Sequence, residues 1–305
     1  MSLVFFVISS IFLMLLFLLL FYVSIHSPFA MELDKRELYF DNLPEKFDGL
    51  TIFFCGDLHL RRWDYRIVWV QHQLIQAKAD MILFSGDMVE ESGMSKLEEF
   101  LEPLEAPVGL CFVPGNNENG LDDKERAFEM FKEAGFDVLI NSSVRLADNL
   151  VVAGTDDPSR HHDDLDEALA TCTNGRSADC YNRDDGDEAH GDGDDEGSKF
   201  TTGCYEIDGA SDFIIGLTHT PELFPHCLEN NIPLTLCGHT HGGQVRVPYF
   251  GALWVDTPRV KGRYDAGLFE EDGCQLLVTR GVGMSKLPMR CMCNPQVHLL
   301  TLRKR

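Results

Sequence analysis

The sequence predicts an α/β layered domain, with sheets covered by helices, carried behind a single membrane-spanning helix. Two observations predict it. From Leu50 onward, short apolar runs alternate with helical patterns, as sheets buried under helices require. Before that, residues 4–23 form a twenty-residue stretch without a charge, which at ~1.5 Å per residue reaches across a hydrocarbon layer of ~30 Å.

Residues 1–30 read as an uncleaved anchor. A signal peptide is the competing reading, but no lysine or arginine precedes the apolar run, and Pro28-Phe29-Ala30 is a poor cleavage site. The run also exceeds the usual apolar region of a leader. The first positive residues are Lys35 and Arg36, so the positive-inside rule puts the remainder, residues 31–305, on the cytoplasmic side of a cell inner membrane.

The runs 50–55, 81–85, 108–113, 150–154, 213–217, 234–238 and 275–279 read as buried strands. Between the first two, residues 64–78 place Ile67, Val70, Leu74 and Ala77 on one face of a helix. Residues 122–134 do the same with Ala127, Met130 and Phe131, and Asp122 or Asp123 is placed to cap that helix. Residues 157–199 break the rhythm, being rich in Asp, Gly, Asn and Ser, and read as a solvated, disordered insertion. A calcium loop is the sharper alternative there, since Asp192, Asp194, Glu196 and Gly197 resemble the first half of an EF-hand loop. Its twelfth position is Gly203, where a bidentate Glu is needed.

The 305 residues carry a formal net charge of −23, which disfavours a nucleic-acid backbone as partner. Residues 156–196 hold fifteen acidic residues against three arginines, about half of that net charge. Ten cysteines are scattered, with Cys55, Cys111 and Cys237 inside or at the ends of apolar runs. Free buried thiols fit this better than a disulfide framework. Cys291 and Cys293 have no second pair at zinc-finger spacing.

The residues that carry chemistry follow strand-like runs: Asp57 and His59 after the first, Asp87 after the second, Asn116 after the third. His219 follows the run 213–217, and His239 and His241 lie in Cys237-Gly238-His239-Thr240-His241-Gly242-Gly243. Groups at successive strand ends converge in the crevice beyond the sheet. Two-residue spacing on extended backbone points Asp57 with His59, and His239 with His241, to one face. Imidazole, carboxylate and amide oxygen together make a mixed N/O site for manganese, iron or zinc. Seven ligands exceed what one ion takes, and a shared carboxylate between two ions suits phosphoryl chemistry.

In this order, Gly56-Asp57-Leu58-His59, Gly86-Asp87, Gly115-Asn116-Asn117-Glu118, His219 and Gly238-His239-Thr240-His241 resemble the signature of calcineurin-like metallophosphoesterases. The similarity covers about Leu50 to the C-terminus without the acidic insertion. It implies a sandwich of two β-sheets flanked by helices. It also implies two divalent ions, manganese foremost with iron or zinc as alternatives. Asp57, His59 and His241 would take one ion, and Asn116, His219 and His239 the other, with Asp87 bridging. The C-terminal stretch, with Gly242-Gly243-Gln244, Thr279-Arg280-Gly281-Val282-Gly283 and Leu287-Pro288-Met289-Arg290, is similar to a bacterial branch of membrane-associated phosphodiesterases. That branch includes enzymes cleaving the pyrophosphate of UDP-2,3-diacylglucosamine in lipid A synthesis.

The chain departs from the family pattern at Asn117, where most members carry a histidine that assists the leaving group. An amide hydrogen-bonds a phosphoryl oxygen but does not act as a general acid, so the expected leaving group is already stable. The expectation is hydrolysis of a phosphodiester or pyrophosphate bond in a membrane lipid or lipid-linked nucleotide. A phosphatase or phosphodiesterase of soluble substrates and a non-catalytic metal-binding scaffold are the alternatives. Arg246, Arg259, Lys261, Arg263, Arg280 and Arg290 are read mainly as solvated charge.

Overall fold

The computed structural model describes residues 3–158, 162–170, 172–174, 207, 209, 211–285 and 288–305. Two mixed sheets stack face to face. The first runs in the order Glu32–Phe40, Gln296–Lys304, Thr51–Cys55, Met81–Phe84, Gly109–Phe112, Asp137–Val138. The second runs Gly267–Glu271, Cys274–Val278, Leu234–Cys237, Phe213–Leu217, Leu150–Gly154, Ser142–Ala147, Cys172–Asn174. The central strands of each are parallel. Strands buried on both faces read as unbroken apolar runs, which is why the seven expected strands coincide with the observed ones to within a residue or so.

Alternation along each strand divides the core into layers. Ile52, Phe54 and Leu83 from one sheet meet Val152, Ile215 and Leu236 from the other. Phe53, Ile82 and Phe84 face outward onto Ile67, Val70 and Leu74 of the helix Tyr65–Ala77. The opposite outer layer packs Val151, Ala153 and Ile214 against Leu165, Ala168 and Phe224. The result is the two-sheet sandwich flanked by helices that the resemblance implies. A charged strand carries no such signature: Glu32–Phe40 pairs in parallel with Gln296–Lys304 at one side of the first sheet and is visible only once the sheet is assembled.

The start of the acidic stretch corrects the expectation of an unordered insertion. Leu165–Ala170 is helical and Cys172–Asn174 adds a strand beside Ser142–Ala147, because Leu165, Ala168 and Cys172 supply buried apolar contact. The EF-hand-like residues Asp192, Asp194, Glu196, Gly197 and Gly203, with most of the insertion, lie outside the described residues. Of the cysteines, Cys55, Cys111, Cys227, Cys237, Cys274 and Cys293 are buried free thiols, and burial pushes Cys227 up to about 12.

An apolar helix precedes the domain. Phe5–Phe29 is 25 residues, long and apolar enough to cross a membrane, with almost none of it buried against protein.

Helix ends follow local rules. Asp64 Oδ1 accepts from the backbone N–H of Arg66 at 2.9 Å and of Ile67 at 3.3 Å, and Asp123 rather than Asp122 caps Lys124–Glu133 by accepting from Arg126. The Asp64→Ala protein should lose about 1 kcal/mol of stability, measured by urea unfolding in detergent. Asp64→Asn, which keeps the acceptor, should recover most of that loss.

Candidate metal centre

The turns leaving the parallel strands converge at one edge of the sandwich. Thr51–Cys55, Met81–Phe84 and Gly109–Phe112 of the first sheet deliver Asp57, His59, Asp87 and Asn116, while Phe213–Leu217 and Leu234–Cys237 of the second deliver His219, His239 and His241. The backbone route differs from the extended alternation expected. Asp57 (φ +50°), His59 (+48°), Asp87 (+51°), His239 (+67°) and His241 (+49°) are all left-handed, a conformation costing ~1–3 kcal/mol in such residues. Hydrogen bonds hold it in place. Asp57 N–H donates to Gly86 O at 3.0 Å, His59 N–H to Asp87 O at 2.9 Å, and Gly283 N–H to Asp57 O at 2.7 Å.

One half of the site joins Asp57, His59 and His241. His59 Nε2 lies 3.1 Å from His241 Nε2, which is 3.8 Å from Asp57 Oδ1. The other half joins Asn116, His219 and His239: Asn116 Oδ1 is 3.2 Å from His219 Nε2 and 3.1 Å from His239 Nδ1. Asp87 stands between them, Oδ2 3.6 Å from His59 Nε2 and Oδ1 3.5 Å from His219 Nε2. Among the described residues, two triads have mutually adjacent donor atoms suited to a metal: Asp57, His59, His241, and Asp57, Asp87, His219. Asp57 thus faces both halves.

The protonation pattern fits a cation. His219 donates from Nδ1 to Ser85 O at 2.8 Å, and His239 reaches Asp256 O through Nε2 at 3.2 Å. Their remaining nitrogens, 3.2 Å apart and both beside Asn116 Oδ1, are then lone pairs aimed at one another. With both rings neutral three acceptors converge, an arrangement that either a metal ion or the proton favoured on His219 by the neighbouring carboxylates resolves. On the other side Glu90 Oε1 accepts from His59 Nδ1 at 2.8 Å, which leaves Nε2 as the donor atom facing the site.

Burial pushes Asp57 up to about 6, against the opposing charge of His219. For His219 burial works the other way, against the proton, yet the charges of Asp87 and Asp57 raise it to about 9. His241 is driven well below its ordinary value by burial, then by the charges of His59 and Arg290. For Glu90, burial is outweighed by hydrogen bonds from His59 and Arg61, which hold it at about 2.

Asn117 belongs to this cluster. Its backbone N–H donates to Asp87 Oδ1 at 2.8 Å and its amide to Asp87 Oδ2 at 3.0 Å, with the same amide nitrogen 2.8 Å from His59 Nδ1. Asn116, Asn117 and His239 are half-buried, whereas the other five are buried, so the opening lies on their side.

Glu118 emerges only from the structure. Fully buried, its carboxylate accepts from the backbone N–H of Asp87 at 2.8 Å, Met88 at 2.6 Å, Val89 at 2.9 Å and Gly115 at 2.9 Å. It clamps the loop of Asp87 to that of Asn116. Its sequence signal is no more than an acid closing Gly115-Asn116-Asn117-Glu118. Arg290 corrects the reading as solvated charge: it is fully buried, donating to the carbonyls of Gly283, Arg280, Gly281 and Cys293. Burial brings it down to about 10. Arg246, Arg259, Arg263 and Arg280 are paired with Asp265, Asp163, Glu271 and Glu32.

Fold and site together define a metal-binding hydrolase built on a two-sheet sandwich. The family model for calcineurin-like phosphoesterases matches residues 50–243. The metallophosphoesterase YkuE of Bacillus subtilis is 24% identical over 294 residues, spanning 92% of this chain and 89% of that protein. The phosphodiesterase YaeI of Escherichia coli is 28% identical over 291 residues, spanning 92% of each. A transmembrane protein with a metallophosphoesterase domain from Danio rerio is 26% identical over 291 residues, spanning 88% of this chain and 56% of that protein. The chain belongs to the calcineurin-like phosphoesterase family and is a hydrolase of phosphoester bonds.

Replacing Glu118 by Gln turns a four-bond acceptor into a group whose amide hydrogens face backbone N–H donors. The expected outcome is a loss of ~1–3 kcal/mol of stability together with a lower metal content. Thermal unfolding and elemental analysis after dialysis measure the two effects.

Proposed function

We propose that the chain hydrolyses a phosphodiester or pyrophosphate bond in a membrane lipid or lipid-linked nucleotide, such as UDP-2,3-diacylglucosamine. The observation that carries this reading is an exposed aromatic segment directly attached to the donor cluster. Asp256 O meets His239, and a few residues before it Tyr249, Phe250, Leu253 and Trp254 stand in solvent. An apolar patch beside a polar site is what an acyl-chain substrate requires. The chain's relative YaeI is named a phosphodiesterase, which agrees with the reaction, and the zebrafish relative a transmembrane protein, which agrees with the tether.

In this reading Asp57, His59 and His241 would hold one divalent ion and Asn116, His219 and His239 a second, with Asp87 shared between them. Manganese is the first candidate, with iron or zinc as alternatives. Such ions lower the pKa of the attacking water and neutralise charge on the phosphoryl oxygens. The chain's own groups do the positioning. Glu90 fixes the tautomer of His59, Glu118 fixes the turn of Asp87, and Asn117 orients the Asp87 carboxylate. When substrate enters, the Asn117 amide is placed to donate to a phosphoryl oxygen, while leaving-group protonation is left to solvent or is not needed. In this reading the domain lies on the cytoplasmic side of a cell inner membrane, which Lys35 and Arg36, just beyond the apolar helix, support by the positive-inside rule.

Detergent-solubilised protein with added Mn²⁺ should release UMP from UDP-diacylglucosamine, and Asp87→Ala should abolish the release. Cleavage of bis-p-nitrophenyl phosphate without UMP release would return the substrate to the soluble class. Asn117→His supplies a general acid, an effect of about 10²-fold or more where the leaving group is poor. It should therefore accelerate alkyl diesters far more than aryl ones, as paired rate measurements would show.

A further inference from the structure

Four large apolar side chains project from one short segment of the domain. Around the hairpin formed by Arg246–Val247 and Gly251–Ala252, Tyr249 is 105% exposed, Phe250 84%, Leu253 63% and Trp254 76%. None of them joins the three hydrophobic clusters of the domain. Tyr249 is held out at the tip in the left-handed region, φ +69°, which an aromatic residue adopts only under constraint. Four such groups within six residues make a patch, not scattered surface.

The chain outside this patch identifies what covers it. Gln244 O accepts from Cys291 N–H at 2.8 Å, and Arg246 N–H donates to Cys291 O at 2.9 Å. The adjoining residue, Arg290, donates its N–H to Val23 O at 3.0 Å, and Ser27 Oγ donates to Asn294 Oδ1 at 3.3 Å. Both the hairpin and the domain-side end of the apolar helix are therefore tied to residues 290–294. Where that helix leaves the hydrocarbon, the hairpin is at hand. Tyrosine and tryptophan favour that depth because their rings are apolar and their tips polar. Lys261 lines one pocket with Phe250, Leu253 and Trp254, beside Asp265 and the Arg263 paired with Glu271, which puts a cationic group next to the aromatic patch.

We propose that residues 249–254 insert into the headgroup layer of the bilayer that the N-terminal helix crosses. This rests on reading Phe5–Phe29 as a membrane anchor; it does not depend on which ester is cleaved. Two contacts couple the insertion to the metal centre. A Cβ on Gly243, two residues after His241, would meet Ala252 Cβ at 2.6 Å, and Asp256 O receives His239. The depth of the hairpin thus sets the height of the site above the membrane, at the level of a lipid's phosphate.

Tryptophan fluorescence of the full chain in vesicles with brominated acyl chains tests the insertion. Of three tryptophans, Trp63 and Trp69 pack against the outer core, so quenching of Trp254 should remove about a third of the emission. Trp254→Phe should abolish that bromolipid-dependent loss, while the variant still floats with the vesicles. Vesicle flotation of the same samples separates the two assumptions. Protein that floats without quenching, or whose quenching survives Trp254→Phe, overturns the insertion and points to another occupant such as a partner protein. Protein that fails to float overturns the anchor and the insertion together.

Discussion

Carboxylates sealed inside a sandwich must be met by hydrogen bonds, by charge, or by both, and this requirement shapes the active edge of the molecule. Glu118 meets it with four backbone N–H groups drawn from two loops, and Asp57 with the backbone N–H of His239 at 2.8 Å. All of these bonds except that from Gly115, in Glu118's own loop, join segments far apart in sequence. Glu118 welds the ends of two neighbouring strands of one sheet, and Asp57 welds the first sheet to the second. Left-handed backbone at Asp57, His59, Asp87, His239 and His241 is tolerated because these bonds over-determine it. Glycine is needed for the same reason at Gly115 and Gly238, where a Cβ would come within 2.3 Å of Asp87 Oδ1 and Asp57 Oδ2.

What was legible in the sequence follows from which forces act locally. Strands buried on both faces, such as Phe213–Leu217 and Leu150–Gly154, announce themselves by composition. So does the helix Tyr65–Ala77, whose cap and apolar face are set within fifteen residues. Glu32–Phe40, with five charged residues in nine, becomes a strand only because Gln296–Lys304 lies beside it. That pairing spans most of the chain and leaves no local trace. The same divide runs through the site. The order and strand-end placement of Asp57, His59, Asp87, Asn116, His219, His239 and His241 can be read in one dimension. The roles of Glu90, Glu118 and Arg290 cannot, since Glu90 and Glu118 turn onto loops remote in sequence and Arg290 onto carbonyls that only the folded loop around it gathers.

Arg290 shows how far tertiary context can override a charge. A guanidinium with no exposed surface would ordinarily demand a carboxylate partner. Here four backbone carbonyls take its hydrogens instead, and they belong to the loops that back His59 and His241. A Cβ on Gly283 would sit 2.6 Å from that of His59, so this loop leaves no slack behind the imidazole. Arg290 keeps the loop compact from behind while remaining 3.5 Å from His241 Nδ1. Its positive charge lowers the affinity of His241 for a proton and leaves the imidazole neutral, the state in which it can bind a cation.

The backbone N–H of the same Arg290 reaches Val23 at the end of the apolar helix. One residue therefore faces the donor cluster with its side chain and the membrane anchor with its main chain. An anchor joined to a catalytic domain only by flexible chain would let the site tumble through a wide volume above the bilayer. Here the helix end, the loop behind His59 and His241, and the aromatic hairpin share one short segment. Tilting the domain relative to the helix would break hydrogen bonds of that segment, so the fold that orders the metal-binding side chains also fixes the direction in which they open.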